Sequence, residues 1–338
     1  MKAIGLTRNL PVTSPECLMD LEIPKPAPGP RDLLVRIEAV SVNPIDTKIR
    51  MNKAPKKGVP LILGYDAAGV VEAIGSEVTR FQVGDSVYYA GTLTRPGSNA
   101  EFQLVDERIV GRKPKSLVWG DAASVPLTAL TAWEGLFDRL GIDVEGKNTT
   151  QSLLLIGAAG GVGSMVIQLA KIAGLRVIAT VSNPKSAEWC KALGAETTVN
   201  YHHPLAPELK QAGWDTVDFI FNAADTHTYW NVMAEVISPL GSICCLVDAQ
   251  QPVNLNLLKP KGVRYAWESM FTRSSFETPR MDEQGMVLDR IAKLLDAGTI
   301  HTAVQETLSP ICARTLQEAH ARIESKKTQG KIVIEGWK

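Results

Sequence analysis

The chain has 338 residues, its 36 basic side chains balance its 36 acidic ones, and 45% of it is hydrophobic. Zero net charge gives no electrostatic reason to expect a nucleic acid or an anionic membrane surface as partner. No apolar run approaches the roughly 18–20 residues needed to span a bilayer, and the opening MKAIGLTRNLPVTSPE has no apolar signal core. A soluble cytoplasmic protein of two domains of ordinary size, or of one large one, is expected.

Residues 1–110 are rich in valine, proline and glycine, with short alternating runs such as DLLVRIEAVSV (32–42), AAGVVEAIG (67–75) and VGDSVYYAG (83–91), the last opening on a Gly84-Asp85 turn. Short alternating runs bounded by turn residues predict a compact β-barrel. The pattern changes near residue 120, where AASVPLTALTAWEGLFDRLG (122–141) has apolar residues at helical spacing. From 152 to about 267 strands and helices alternate. The strands are SLLLI (152–156), RVIATV (176–181), VDFIFN (217–222), SICCLV (242–247) and VRYAW (263–267). Such alternation predicts a parallel sheet covered by helices. Two more helices, MVLDRIAKLLDAG (286–298) and LQEAHARIESKK (316–327), precede a last strand, GKIVIEG (330–336).

The five cysteines, Cys17, Cys190, Cys244, Cys245 and Cys312, are odd in number and irregularly spaced. A disulfide scaffold is not expected in a chain of this length. Cys244 and Cys245 are neighbours on a strand, so they face opposite sides and read as buried, inert thiols.

The stretch LLLIGAAGGVGSMVIQLAKIAGLRVIATVSNPKS (153–186) carries the strongest motif. Ala158, Gly160 and Gly163 fill the three key positions of a dinucleotide fingerprint, with alanine replacing the first glycine. Gly160 admits a pyrophosphate close to the backbone, and Gly163 lets the helix pack on the strand. Gly161, Val162 and Gly163 open a helix whose free N–H groups and positive dipole end suit phosphates. Val162, Val166, Leu169 and Ala173 mark its inner face. An NAD site would place a carboxylate about 20 residues past the glycines to hold the ribose hydroxyls. Here the second strand runs into Ser182, Asn183 and Lys185, which are neutral or basic and would accept a 2′-phosphate. NADPH is therefore expected over NADH.

With SVNPIDTKIR (41–50), LGYDAAGVVEAIGSEVTRFQVGDSVY (63–88) and the GAAGGVG turn, the chain resembles the quinone oxidoreductase branch of the medium-chain dehydrogenase/reductase superfamily. Three further stretches resemble its zinc-type alcohol dehydrogenase-like subgroup: RPGSNAEFQLVDERIVG (95–111), PLTALTAWEGLFDRLGI (126–142) and WESMFTRSSF (267–276). The resemblance implies an α/β chain in which a GroES-like β-barrel catalytic domain is joined to a Rossmann domain with a doubly wound parallel sheet. The expected divisions are 1–125 for the first part of the catalytic domain, 126–268 for the nucleotide-binding domain and 269–338 for the return to the catalytic domain. It also implies a homodimer.

The resemblance raises the question of zinc. The three catalytic ligand positions of zinc-dependent members fall on Asn43, Tyr65 and, approximately, Leu127. None is a good zinc ligand. The loop that would hold a structural zinc is short and has no cysteine across 89–102. No metal is expected. Without one, the oxidation of a simple alcohol lacks the usual stabilisation of an alkoxide. A quinone or an α,β-unsaturated carbonyl needs only a hydride from NADPH, a hydrogen-bond donor and a proton source.

The resemblance and their own chemistry make candidate catalytic residues of Asn43, whose amide could donate to a substrate oxygen or touch the nicotinamide ribose, Tyr65, whose phenol could give a proton, and Asp46, which follows Asn43 at the spacing of a family acid and could orient its neighbours. Each also has a structural reading: Asn43-Pro44 as a turn, Tyr65 as a packed phenol, Asp46 as a helix cap. The resemblance adds Thr128, near the nicotinamide, and Tyr201, at the 2′-phosphate. Trp267, Phe271 and Phe276 could form an apolar wall, and Arg273 could face an anion; interdomain packing and a surface charge are the other readings. The expected activity is reduction of quinones or α,β-unsaturated carbonyls by NADPH without zinc. Two alternatives stay open: a zinc-dependent alcohol dehydrogenase, and a nucleotide-binding structural or sensor protein with little turnover.

Overall fold

The computed structural model describes residues 1–337. Its internal contacts divide the chain into two compact units, Met1–Leu130 with the chain from Met270 onward, and Thr131–Ser269.

The first unit is built on β-structure. A seven-stranded sheet runs Val304–Leu308, Lys331–Glu335, Asp32–Val42, Ala67–Ile74, Ser86–Tyr89 and Gly111–Arg112, with Phe102–Asp106 pairing on Asp32–Val42 as well. A three-stranded sheet of Met19–Glu22, Lys2–Leu6 and Leu61–Ile62 accompanies it. The alternating runs seen in sequence all form strands, and most of their residues are buried on both faces, as the consecutive buried positions Leu33, Leu34 and Val35 and Val87, Tyr88 and Tyr89 show. Asp32–Val42 is the hub, since it pairs antiparallel with three other strands.

Two of those registers decide what lies at its C-terminal end. Ile332 pairs with Val42, which brings Lys331 beside Asn43. Val40 pairs with Ala67, which brings Asp66 beside Ser41, and Ser41 N–H donates to the Asp66 carbonyl at 3.2 Å. The chain then turns at Asn43 into the helix Pro44–Asn52. Proline suits the first helical position, where its missing N–H has no partner to lose.

The second unit holds one parallel six-stranded sheet. In spatial order its strands are Thr197–Asn200, Arg176–Val181, Ser152–Ile156, Val217–Asn222, Ile237–Cys245 and Arg264–Trp267. The order reverses direction between Ser152–Ile156 and Val217–Asn222. This is the switch point of a doubly wound sheet, where ligands bind outside the carboxyl ends of the strands. One side of the sheet closes on Leu154, Ile156, Ile178, Ile220, Trp230 and Met233. The glycine-loop helix Gly161–Ile172 has Val166, Leu169 and the capping Ala173 fully buried, while Val162 at its start is half-buried.

The structure departs from the sequence reading in three places. The helical stretch 122–141 is three pieces, Trp119–Ala123, Pro126–Trp133 and a π-helical turn Glu134–Arg139. Pro126 cannot continue the helix before it and starts a new one instead. The strand expected at 242–247 begins earlier and ends at Cys245, with a register irregularity against Val217–Asn222. The edge strand Thr197–Asn200 had no apolar run to announce it. Both Cys244 and Cys245 are fully buried, free thiols.

Candidate functional site

Each unit carries a polar cluster at the end of its central strand. In the nucleotide unit, strand Ser152–Ile156 passes into Gly157, whose φ of +85° is left-handed and whose N–H donates to Thr180 Oγ1 at 3.1 Å. Gly160 caps the helix, and the first helical bond runs from Ser164 N–H to the Gly160 carbonyl at 2.9 Å. The N–H groups of Gly161, Val162 and Gly163 are therefore left for something else. A Cβ on Gly163 would lie 2.4 Å from the Ala158 carbonyl oxygen, so the helix rests directly on the loop backbone there. A Cβ on Gly160 would have only the Gly157 carbonyl oxygen near it, at 3.7 Å. Gly163 is thus needed for internal packing, while Gly160 keeps an approach open from outside. A pyrophosphate cradle requires both features, and the loop fits one. Trp189 Nε1 donates to Ser164 Oγ at 2.9 Å and ties the next helix to this one.

Strand Arg176–Val181 leads to Ser182 and Asn183. Asn183 caps the helix Pro184–Leu193, accepting Ser186 N–H at 2.9 Å, and its Nδ2 donates to Ser182 Oγ at 2.9 Å. Its side chain is occupied as a cap, so its part in any anion site is to hold Ser182, whose own hydroxyl hydrogen remains for a ligand. Lys185 is exposed in the helix's first turn, and that turn has no acidic residue. Tyr201 N–H donates to the Val181 carbonyl at 3.1 Å, and its ring, 40% exposed, stands 4.8 Å from that of His202. The structure therefore brings Ser182, Asn183, Lys185 and Tyr201 to one edge of the sheet.

In the β unit, Asn43, Tyr65, Asp46 and Asp66 are all buried, with Lys331 among them. Lys331 Nζ donates to Asn43 Oδ1 at 2.5 Å, to Asp66 Oδ2 at 3.0 Å and to the Val42 carbonyl at 3.2 Å. Asn43 Nδ2 donates to the same Asp66 oxygen at 2.8 Å, and Leu127 N–H donates to the other at 2.8 Å. The chain segments around Asn43, Tyr65-Asp66 and Leu127 are thus joined through one carboxylate. The amide expected as a free donor toward substrate is instead engaged inside the protein through its oxygen and one of its two N–H bonds.

Asp46 sits in the first turn of the helix Pro44–Asn52 and accepts the backbone N–H of Asn43 at 2.8 Å and of Gly64 at 3.1 Å. It ties the helix start to the Gly64-Tyr65 corner. Gly64 has φ +110°, and a Cβ there would lie 2.4 Å from Ser98 Oγ, so the corner requires glycine. Burial pushes the Asp46 carboxyl up to about 7, against the pull of the Asn43 N–H and the Lys331 charge. Burial also raises Asp66, with Lys331 and its hydrogen-bond donors opposing. The Tyr65 phenol is raised above its ordinary value by burial and by the Asp46 charge, and its ring meets Phe271 edge-on at 5.5 Å. Thr128, in the helix Pro126–Trp133, donates its hydroxyl to the Val125 carbonyl at 2.9 Å. That leaves the Thr128 oxygen as an acceptor only.

The three aromatic residues expected to share a wall occupy three environments. Phe271 packs on Tyr65, Trp267 on Tyr265 at 5.4 Å, and Phe276 is 79% exposed. Arg273 is paired with Glu283 and donates to the Arg280 carbonyl at 2.9 Å, so its charge is answered within the protein. Sequence reasoning missed Asp66 and Lys331. Asp66 stands next to Tyr65 and could have been weighed; Lys331 opens the last strand, and only strand register reveals where it goes.

The chain matches two family models, the alcohol dehydrogenase GroES-like domain over residues 29–115 and the zinc-binding dehydrogenase domain over 161–279. The chain belongs to the medium-chain dehydrogenase/reductase superfamily. It is 39% identical over 335 residues to a zinc-type alcohol dehydrogenase-like protein of Staphylococcus aureus, covering 99% of both chains. It is 32% identical over 326 residues to a quinone oxidoreductase of Pseudomonas aeruginosa, covering 95% of this chain and 96% of that one. A 2-methylene-furan-3-one reductase of Solanum lycopersicum is 31% identical over 311 residues, which are 89% of this chain and 71% of the relative. Among solved structures, one described as a candidate zinc-dependent alcohol dehydrogenase of Rhizobium etli superposes with a TM-score of 0.96 at 45% identity, over 100% of this chain and 98% of the other. The Escherichia coli quinone oxidoreductase in complex with NADPH superposes with a TM-score of 0.85 at 25% identity, over 99% and 100%. The protein is an oxidoreductase of this superfamily, with its GroES-like and Rossmann folds.

A catalytic zinc is the group whose fit remains to be tested. The family's ligand positions hold an amide, a phenol and an apolar side chain, and the acceptors nearest them, Asn43 Oδ1 and Asp66 Oδ2, already hold an ammonium. Zinc takes thiolate, imidazole or carboxylate ligands, and this donor set does not fit it. Among the described residues no group of three or more His, Cys, Asp or Glu is placed to hold a metal.

Proposed function

We propose that the protein reduces quinones or α,β-unsaturated carbonyl compounds with NADPH and without zinc. The observation that carries the cofactor half is the sheet edge at Ser182, Asn183, Lys185 and Tyr201. A hydroxyl, a lysine and a phenol stand where an NAD site would have a carboxylate. The NADPH complex of the similar Escherichia coli enzyme supports this reading. The names of the quinone oxidoreductase and furanone reductase relatives support an activated acceptor as substrate.

Ala158, Gly160, Gly161, Val162 and Gly163 would hold the pyrophosphate by backbone N–H groups, and Ser182, Lys185 and Tyr201 the 2′-phosphate. NADPH supplies a hydride when bound. The work left to the protein is to orient the acceptor, exclude water and place one donor and one proton. Tyr65 is the proton donor in this reading: burial and the nearby Asp46 keep its phenol protonated across the working pH range. Asn43 presents the one Nδ2 hydrogen that Asp66 does not take. Thr128 offers an acceptor to a carboxamide. The chain divides for this purpose into 1–125 and 269–338 as catalytic part and 126–268 as nucleotide part, acts in the cytoplasm, and works as a homodimer.

The test is oxidation of NADPH and of NADH against a benzoquinone, a naphthoquinone, an enone and a simple aldehyde, each with and without chelator. Chelator-resistant turnover of quinone or enone with preference for NADPH is expected. Chelator-sensitive reduction of the aldehyde, with one zinc per chain, would overturn the reading.

A further inference from the structure

The ammonium of Lys331 has three hydrogens and three acceptors, Val42 O, Asn43 Oδ1 and Asp66 Oδ2, and the residue is 4% exposed. An ammonium donates only, so the oxygen of Asn43, and never its nitrogen, must face it. The Asp66 carboxylate, paired with the ammonium, has no hydrogen to donate, so the nitrogen of Asn43, and never its oxygen, must face that side, as the 2.8 Å contact has it. The two charges forbid an amide flip from both directions. An amide whose oxygen is bonded to a cation is also a stronger donor through its N–H bonds. One Nδ2 hydrogen remains outside this arrangement.

The geometry points to Lys331 as a positioning residue: with Asp66 it locks and polarises the Asn43 amide and joins the segments at residues 43, 65–66 and 127. The inference rests on the reductase reading for its catalytic consequence. A divalent cation could use Asn43 Oδ1 and Asp66 Oδ2 only after Lys331 had left. The same strand register that brings Ile332 opposite Val42 therefore builds a cation into this cluster from the chain itself.

The test compares the wild type with Lys331→Met and with the double variant Lys331→Met/Asp66→Asn. The single variant leaves a buried carboxylate unpaired and is expected to lose stability. The double variant removes both charges, keeps side-chain volume nearly constant and leaves an amide oxygen for Leu127 N–H, so it is expected to fold. Two readouts are made on it. One is the hydrogen exchange of the Asn43 side-chain amide, assigned in the 15N spectrum by its loss in Asn43→Asp; exchange at least tenfold faster than in the wild type is expected. The other is turnover of the best acceptor; a fall in kcat of tenfold or more is expected, with the KM for NADPH within twofold.

Unchanged exchange in the folded double variant would overturn the locking, whatever happened to kcat. Faster exchange with unchanged kcat would overturn the catalytic consequence. Should the wild type reduce no activated acceptor at all, the reductase reading falls, and the exchange measurement still decides whether Lys331 holds Asn43.

Discussion

The backbone N–H of Tyr201 donates to the carbonyl of Val181 at 3.1 Å, which sets the residue after one strand beside the residue after its neighbour. Tyr201 and Ser182 are 19 positions apart in sequence and share one sheet edge because Val181 pairs with Asn200. Ser182→Asp places a carboxylate at that edge. It would repel a 2′-phosphate and bind ribose hydroxyls instead. The expected outcome is a fall of tenfold or more in kcat/KM for NADPH and a rise for NADH. An unchanged ratio of the two values would show that the phosphate is held elsewhere.

The glycine loop makes a second prediction, because its two inner glycines differ. Gly163→Ala places a methyl group 2.4 Å from a backbone oxygen that cannot rotate away. Overpacking of this kind costs about 1–3 kcal/mol, read as a lower urea midpoint at unchanged m. Gly160→Ala meets nothing closer than 3.7 Å and should leave the midpoint alone while weakening NADPH binding. A Gly160→Ala variant that bound NADPH as tightly as the wild type would remove the loop from the cofactor site.

How much of this was legible beforehand follows from which interactions are local. The loop 157–163 was readable because the strand, the turn and the helix that use its glycines are consecutive in sequence. The same holds for the run 182–185, where a strand ends and a cap begins. The polar cluster was half legible. Asn43, Asp46 and Tyr65 were named by the resemblance and by their chemistry, but the ammonium that Asn43 and Asp66 share, that of Lys331, comes from 288 and 265 positions away, and no periodicity encodes that pairing. Asn43 looked like a free donor for the same reason: a sequence shows an amide but not the ammonium across the sheet from it. The strand Thr197–Asn200 was missed because an edge strand can be polar.

Asp46 gives a prediction about pH. Its folded-state value, about 7, lies above the ordinary carboxylate value of 3.8. Between those two pH values the folded state binds the extra proton. The stability this group contributes is therefore full at the acid end and is lost as pH rises through 7. Asp46→Asn removes this titration and leaves either the Asn43 or the Gly64 N–H without an acceptor, a constant cost of about 1–3 kcal/mol. Urea midpoints measured from pH 5 to 8 should show the wild-type advantage shrinking toward alkaline pH. An advantage that stayed constant across this range would mean that Asp46 is ionised throughout.

His320 pulls the other way. It is fully buried on the helix Ala313–Glu324, and neither ring nitrogen has a hydrogen-bond partner among the described residues. Burial, with the Arg50 guanidinium adding to it, pushes the imidazole down to about 3 from an ordinary 6.5. The unfolded chain binds the proton first, so stability is constant above 6.5 and falls as pH drops toward 3. A buried polar ring with no partner carries a desolvation cost that an apolar side chain avoids, so His320→Leu should be neutral or stabilising at pH 7, by up to about 1–2 kcal/mol. It should also flatten the acid slope by one proton, a difference best read against the wild type because Asp46 titrates with opposite sign in the same window. Thermal unfolding of the two proteins at pH 7, 6 and 5 decides the matter. A His320→Leu variant that is less stable at pH 7 and keeps the wild-type slope would mean that the ring has a partner, most simply a buried water between it and Arg50 Nε, which likewise has no partner among the described residues.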